Sequence, residues 1–174
     1  MIILFFDLLD DEQDKHRFED IYNKYKNLSG YICFEILKDY SLAEDAVSEV
    51  FFKLARNFKS FQYINEEKTR NYIRILSRRM ALNMLRKMKN DPILYGDEIE
   101  IKDDYIFEEH VVGEAMSKSM LLNLPEKYYE VLYMSVSLNL TGEQIAQSLD
   151  ININTVYKRL QRAREILRKK YEEK

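Results

Sequence analysis

The segment that follows Asn152 is rich in side chains that form hydrogen bonds or carry positive charge. Amides, hydroxyls and guanidinium groups at helical spacing can reach base edges and phosphates of a nucleic acid. We predict that six side chains after Asn152 and the Thr141 hydroxyl before it make such contacts. They are Thr141, Asn154, Thr155, Tyr157, Lys158, Arg159 and Arg162. To act together they must project outward from one helix that is held at a fixed angle.

Two short helices joined by a tight turn are predicted to position these side chains. Thr141 and Gln144 predict a capping box, in which each side chain satisfies a backbone N–H of the other residue. Asp150 can adopt the left-handed backbone conformation of a turn, and Asn152 can cap the following helix. Val156 then faces the core. The segment is therefore predicted to be a helix-turn-helix, with a plain helical hairpin as the alternative.

Basic residues are concentrated in two runs. Residues 70–89 contain seven basic residues and no acidic one, and residues 153–170 contain seven basic residues against Glu165 alone. Such concentration suits binding to a polyanion, because neutralised phosphates release counterions. A solvated helix face is the alternative for either run taken alone.

The net charge of −3 hides a division of the chain into three parts. Residues 1–90 hold 16 basic and 14 acidic residues, residues 91–114 hold 1 and 9, and residues 115–174 hold 10 and 7. Self-repulsion and weak apolar periodicity predict an extended acidic linker in the middle part. Two small domains, 1–90 and 115–174, are predicted on either side of it.

Both domains are predicted to be helical. Only 4 glycines and 2 prolines are present, too few for the frequent turns of a β-rich fold. Apolar residues recur at helical spacing from Phe18 onward, in residues 43–54 and in residues 68–89. Ser41 and Glu44 predict a capping box at the start of the second of these helices. The predicted fold class is all-α, with two small helical domains and a helix-turn-helix in the second.

Catalytic, metal-binding and membrane functions find little support in the sequence. Cys33 is the single cysteine and His16 and His110 are isolated, so no metal-ligand spacing or nucleophile pair is present. We therefore predict no catalytic residue, no metal and no cofactor. The apolar start, residues 1–6, is interrupted by Asp7 and lacks a basic leader, which predicts a cytoplasmic protein without a signal peptide or membrane insertion.

Three segments together resemble the extracytoplasmic-function class of bacterial sigma factors, within the sigma-70 family. They are YSLAEDAVSEVFFKLARNFKSF at residues 40–61, RNYIRILSRRMALNMLRKMKN at residues 70–90, and residues 124–167. The last segment contains IAQSLDI followed by TVYKRLQRAR. The resemblance implies a factor that binds core RNA polymerase and promoter DNA and so directs transcription initiation.

The resemblance also implies a role for each domain and for particular side chains. Residues 1–90 would bind core polymerase and recognise and melt the upstream promoter element, and residues 115–174 would read the more distant element. The side chains implied to face polymerase are Asp45, Ser48, Glu49 and Phe52. Those implied to contact DNA from the first domain are Phe61, Tyr63, Arg78, Arg79, Asn83, Arg86 and Lys87. For the two aromatic residues, stacking on an extruded base is the expected role, and burial in the core is the alternative.

Some positions depart from the family pattern, and other functions compete with it. Arg79 stands where the family commonly has asparagine, Asn83 where it has aspartate, and Asp150 where it has a turn glycine; these differences bear on promoter preference. An anti-sigma factor is a further partner that such factors often have. The runner-up function is a helix-turn-helix regulator that binds an operator without polymerase, and an enzyme is a distant third.

Overall fold

The described residues form helices and turns in two separate units. The structure, a computed structural model, describes residues 2–61, 65–88 and 124–172. Contacts between Cα atoms divide the chain into two compact units, Met1–Ile93 and Leu94–Lys174. Every regular element in the described ranges is helical, which confirms the predicted all-α fold.

The elements follow the predicted order with shifted ends. Their bounds are α1 Ile3–Phe6, α2 Glu12–Leu37, α3 Tyr40–Arg56, a 3-10 turn Phe58–Phe61, α4 Glu66–Met88, α5 Glu126–Val136, α6 Gly142–Leu149 and α7 Ile153–Glu172. Helix α2 begins before the predicted start at Phe18 and runs through Gly30 without a break. The predicted linker, residues 91–114, lies outside the described residues, as do residues 115–123 of the second predicted domain.

The caps of α2 and α3 are aspartates. The Asp11 side chain accepts a hydrogen bond from the Asp14 backbone N–H at 2.8 Å. The Asp39 side chain accepts one from the Leu42 N–H at 2.9 Å, so the predicted capping box that starts at Ser41 is wrong. Lys38 explains the difference, because its left-handed conformation (φ 54°) ends α2 and leaves Asp39 extended at the cap position.

Aromatic rings form the core of the first unit at the end where α1 packs. The Phe18 ring is fully buried and meets the Phe5 ring at 5.6 Å, the Phe51 ring at 6.3 Å and the Phe58 ring at 5.6 Å between centroids. All three pairs lie edge to face, the arrangement that ring quadrupoles favour. Tyr22 extends the cluster with its ring 4.8 Å from that of Phe51. This cluster joins α1, α2, α3 and the 3-10 turn.

A buried polar contact joins α2 to α4 farther along. The Ser29 and Ser77 hydroxyls are 2.7 Å apart, and the Cys33 thiol donates to the Ser77 carbonyl oxygen at 3.6 Å. Burial raises the pKa of the Cys33 thiol to about 11, because desolvation disfavours the thiolate. Cys33 therefore acts as a packing residue that stays protonated.

The raised pKa of Cys33 predicts a specific loss of stability in alkali. The pKa of a cysteine thiol in an unfolded chain is about 8.5. The contribution of the protonated thiol is thus fully present below that pH and is lost as the pH rises toward about 11. We expect the free energy of unfolding, measured with urea between pH 7.5 and pH 10, to fall more steeply for the parent than for Cys33→Ala. Parallel curves for the two proteins would contradict this account.

The second unit packs α5 and α6 against the long helix α7. Its core is built from apolar residues on all three helices and on the connection before α6, namely Val131, Leu132, Met134, Leu138, Leu140, Ile145, Leu149, Val156, Leu160, Ala163 and Leu167. Pro125 directly precedes α5, where its missing backbone N–H removes no intrahelical hydrogen bond. Asn139 adopts a left-handed conformation (φ 53°) in the connection between α5 and α6. These contacts fix the angle at which α7 presents its outer side.

Candidate nucleic-acid interface and protein-binding face

Helix α6 begins with the predicted capping box. The Gln144 backbone N–H donates to the Thr141 hydroxyl oxygen at 3.2 Å, and the Thr141 N–H donates to the Gln144 side-chain oxygen at 2.8 Å. Both bonds satisfy donors that a helix start leaves without an intrahelical partner. The first turn of α6 is therefore stabilised locally, by two side chains three residues apart.

The turn between α6 and α7 also follows the prediction. Asp150 adopts the left-handed conformation at φ 56° and ψ 49°. The Ile151 N–H donates to the Ala146 carbonyl oxygen at 3.0 Å, which closes the end of α6. The Asn152 side chain then accepts from the Asn154 N–H at 2.8 Å and caps α7. The three residues form the turn of a helix-turn-helix.

Most predicted DNA contacts on α7 lie on its outer side. Asn154, Tyr157, Lys158 and Arg162 are exposed, and Thr155 is half-buried. Thr141, at the start of α6, is also exposed. The structure thus brings these predicted residues to the surface of one helix-turn-helix.

Arg159 is a correction to the sequence prediction. Its side chain is buried, with 8% exposed, and it does not project outward with its neighbours. Arg159 lies three residues after Val156 and four before Ala163, which places it on the buried stripe of α7. Its predicted role in binding DNA stays untested.

The orientation of Arg162 is set by Glu165. The Arg162 guanidinium donates to the Glu165 carboxylate at 2.9 Å, and the Gln161 amide donates to the same carboxylate at 3.1 Å. The hydrogen bond with Arg162 lowers the pKa of the Glu165 carboxyl and raises that of Arg162. The carboxylate thereby links two outward side chains of α7.

Helix α4 carries five of the seven predicted DNA-binding residues of the first unit, and one of the five is buried. Lys87 is exposed, Arg78 is half-buried, and Arg86 is half-buried with its guanidinium 3.4 Å from the Asn83 side-chain oxygen. Arg79 is only 9% exposed, so it does not share the exposure predicted for it, and its predicted role in binding DNA stays untested. Arg79 follows the buried Ile75 by four positions, and residues four positions apart lie on the same face of a helix, so Arg79 lies on the buried face of α4.

The side chains of the two aromatic residues predicted to hold an extruded base are not among those that the structure describes. Phe61 ends the 3-10 turn, but its side chain lies outside the described residues. Tyr63 lies outside them as well. Their predicted stacking role and its alternative, burial in the core, both stay open.

The predicted polymerase-binding residues share one outer stripe of α3. Asp45 and Glu49 are exposed, Ser48 is half-buried, and the Phe52 side chain is 39% exposed. Their spacing of three, one and three residues places them on one face of the helix. We call this set the α3 face. It combines two carboxylates with an apolar ring, which suits a protein partner.

The sequence prediction missed Arg56, which extends the α3 face by one turn. Its guanidinium lies 5.8 Å from the centroid of the Phe52 ring, within the range of a cation–π contact. The signal was present in the sequence, because Arg56 follows Phe52 by four residues. The contact limits the positions of the exposed ring.

Within residues 2–61, 65–88 and 124–172, His, Cys, Asp and Glu side chains form no group of three that could hold a metal ion. None of the helices in these ranges is both long and apolar enough to cross a membrane.

Two protein-family descriptions match the chain in separate regions. Residues 21–90 match "Sigma-70 region 2" and residues 118–167 match "Sigma-70, region 4". Together the matches cover about two thirds of the chain. The first match includes most of α2 and all of α3 and α4, and the second includes the helix-turn-helix.

Curated relatives extend the similarity to nearly the whole chain. The ECF RNA polymerase sigma factor SigW of Bacillus subtilis (strain 168) is 28% identical over 169 residues, which cover 90% of this chain and 89% of SigW. The RNA polymerase sigma factor SigZ of the same organism is 28% identical over 149 residues, which cover 84% of this chain and 82% of SigZ.

A solved structure of a sigma factor is also similar, with a lower sequence identity than the two relatives. It is the sigma factor RpoE in complex with the anti-sigma factor NepR from Bartonella quintana, aligned over 88% of this chain and 95% of that chain, with 16% identity and a TM-score of 0.37. The two matched regions and the two relatives of nearly full coverage show that the chain belongs to the extracytoplasmic-function class of the sigma-70 family of sigma factors.

Proposed function

We propose that the two units divide the work of a sigma factor in promoter recognition. As a sigma factor, the chain binds core RNA polymerase and promoter DNA and directs transcription initiation. In our proposal the first unit binds polymerase through the α3 face and contacts the upstream promoter element through α4. The second unit reads the more distant element through α6 and α7.

One observation carries this assignment. The capped helix-turn-helix presents Asn154, Tyr157, Lys158 and Arg162 on the exposed side of α7, opposite the stripe that packs into the core. Amide and phenol groups can read base edges, and the two basic groups can neutralise phosphates. A plain helical hairpin has no need of the fixed turn that gives α7 its angle.

The first unit has two surfaces of different chemical character, which supports the proposal. The α3 face is acidic and apolar, whereas α4 exposes Lys87 and partly exposes Arg78 and Arg86. In this proposal polymerase binds to α3 and promoter DNA binds to α4, so the first unit can bind both at the same time. We also propose that the chain works in the cytoplasm without catalytic activity of its own. An anti-sigma factor stays a predicted partner.

A gel-shift assay with and without core polymerase tests the proposal. We expect the chain alone to leave promoter DNA free at concentrations where the chain with core polymerase binds it. Tight, sequence-specific binding by the chain alone, unchanged by core polymerase, would instead support an operator-binding regulator.

The role of α4 predicts a change in salt dependence. Replacing Arg78 and Lys87 with alanine is expected to lower the slope of log affinity against log salt by about two units, one per lost phosphate contact. The measurement is promoter binding by the polymerase-bound factor at several salt concentrations. Arg79 is left unchanged because it is buried.

A matched variant separates local contacts from net charge. Lys24→Ala with Lys26→Ala removes the same charge from exposed positions on α2. We expect its slope to equal that of the parent. An unchanged slope for the α4 variant, or equal losses in both variants, would contradict the assigned phosphate contacts.

A further inference from the structure

Gly142 lies directly against the ring of an exposed tyrosine. A methyl group placed on its Cα would lie 2.8 Å from the Tyr157 hydroxyl oxygen, 3.0 Å from Cζ and 3.1 Å from Cε1. A side-chain carbon essentially never lies 2.8 Å from another heavy atom, and the other two distances are unusually short, so any larger residue at this position requires the ring to move. Tyr157 is 56% exposed, yet one end of its ring is held against the first residue of α6.

The backbone does not require glycine at position 142. No glycine in the described ranges has a positive φ, and Gly142 is the first residue of a helix, where alanine is well accepted. The atoms that an added methyl group would meet all belong to the far end of the Tyr157 side chain. Alanine would therefore displace the tyrosine ring and leave the helix-turn-helix folded.

Tyr157 lies among the residues proposed to read DNA. It follows Asn154 by three positions and precedes Lys158, both exposed on the same helix. A phenol hydroxyl can donate and accept a hydrogen bond, and a ring fixed before binding loses little conformational entropy when it makes contact. The position of the ring thus determines whether its hydroxyl can reach one particular base.

We propose that Gly142 is a positioning residue that holds the Tyr157 ring so that its hydroxyl contacts a base edge of the distant promoter element. This inference rests on the proposed function of the second unit. Gly142 touches no DNA in this account and acts only through Tyr157. The pair couples α6 to the reading side of α7 across the turn.

The test uses the full chain bound to core polymerase and a double-mutant cycle. Affinity is measured for a promoter with its distant element intact and for one with that element scrambled. We expect Gly142→Ala to lower the preference for the intact element roughly five- to thirty-fold, within the discrimination of one base contact. Tyr157→Ala should lower it by a similar factor, and Gly142→Ala should cause no further loss in the Tyr157→Ala background.

Two controls keep a folding defect apart from a positioning effect. The thermal midpoint of Gly142→Ala should equal or exceed that of the parent. Gly30→Ala places its methyl group 4.0 Å from the nearest atom, on Val47, so it should leave promoter preference unchanged.

The outcomes distinguish this inference from the proposed function. An unchanged preference in Gly142→Ala, an equal loss on both promoters, or a loss that adds fully to that of Tyr157→Ala would overturn the positioning role. If the parent protein with core polymerase already failed to distinguish the two promoters, the proposed function of the second unit would fail, and this inference with it.

Discussion

Replacing Asp45 and Glu49 together with arginine is expected to weaken binding to core RNA polymerase roughly 30-fold or more, a loss of about 2 to 5 kcal/mol. Both carboxylates are exposed on the α3 face and point away from the buried stripe of α3. Charge reversal there should leave the fold intact and place like charges against the partner surface. Co-purification and a binding titration with core polymerase measure the effect, and circular dichroism checks the fold.

A charge-matched control makes this result specific. Asp7→Arg with Asp20→Arg changes the net charge equally at exposed positions. Neither residue lies on α3. We expect this control to bind core polymerase nearly as well as the parent. Unchanged binding in the Asp45 and Glu49 variant would remove the α3 face from the interface.

Phe18→Ala is expected to cost the first unit about 3 to 5 kcal/mol of stability. The Phe18 ring is fully buried and contacts three other rings, so its loss leaves a cavity that four elements must share. That cost is a large part of the stability of an ordinary domain, about 5 to 15 kcal/mol. Urea unfolding monitored by circular dichroism measures the change in the free energy of unfolding of the first unit.

Tyr31→Ala provides the comparison for Phe18→Ala. Tyr31 lies on the same helix, and 59% of its side chain is exposed, so its replacement should change stability by less than about 1 kcal/mol. Comparable stability losses in the two variants would show that the aromatic cluster does not form the core of this unit.

The features that the sequence predicted best are local ones. The Thr141 capping box, the left-handed Asp150 and the Asn152 cap each depend on residues no more than five apart, and all three are confirmed. Their geometry follows from backbone donors that any helix start or turn must satisfy. The cap of α3 lies at Asp39 and not at the predicted Ser41, because Lys38 adopts a left-handed conformation that its residue type does not indicate.

The features that the sequence missed depend on tertiary packing. Arg79 and Arg159 are basic residues at the border of a buried stripe, where the neighbouring helices decide whether the long side chain is covered. The contact between Gly142 and Tyr157 joins two residues on different helices. Its existence depends on the angle between α6 and α7, which residue types alone do not specify.

Run-off transcription on a library of genomic promoters tests the central claim most directly. Core polymerase alone and core polymerase with the full chain are compared on the same templates, and transcripts are mapped at their 5′ ends. We predict a set of start sites that depends on the added chain and shares two upstream sequence elements at a constant spacing. Transcripts that are the same with and without the chain, although it is folded and bound to core polymerase, would contradict its function as a sigma factor.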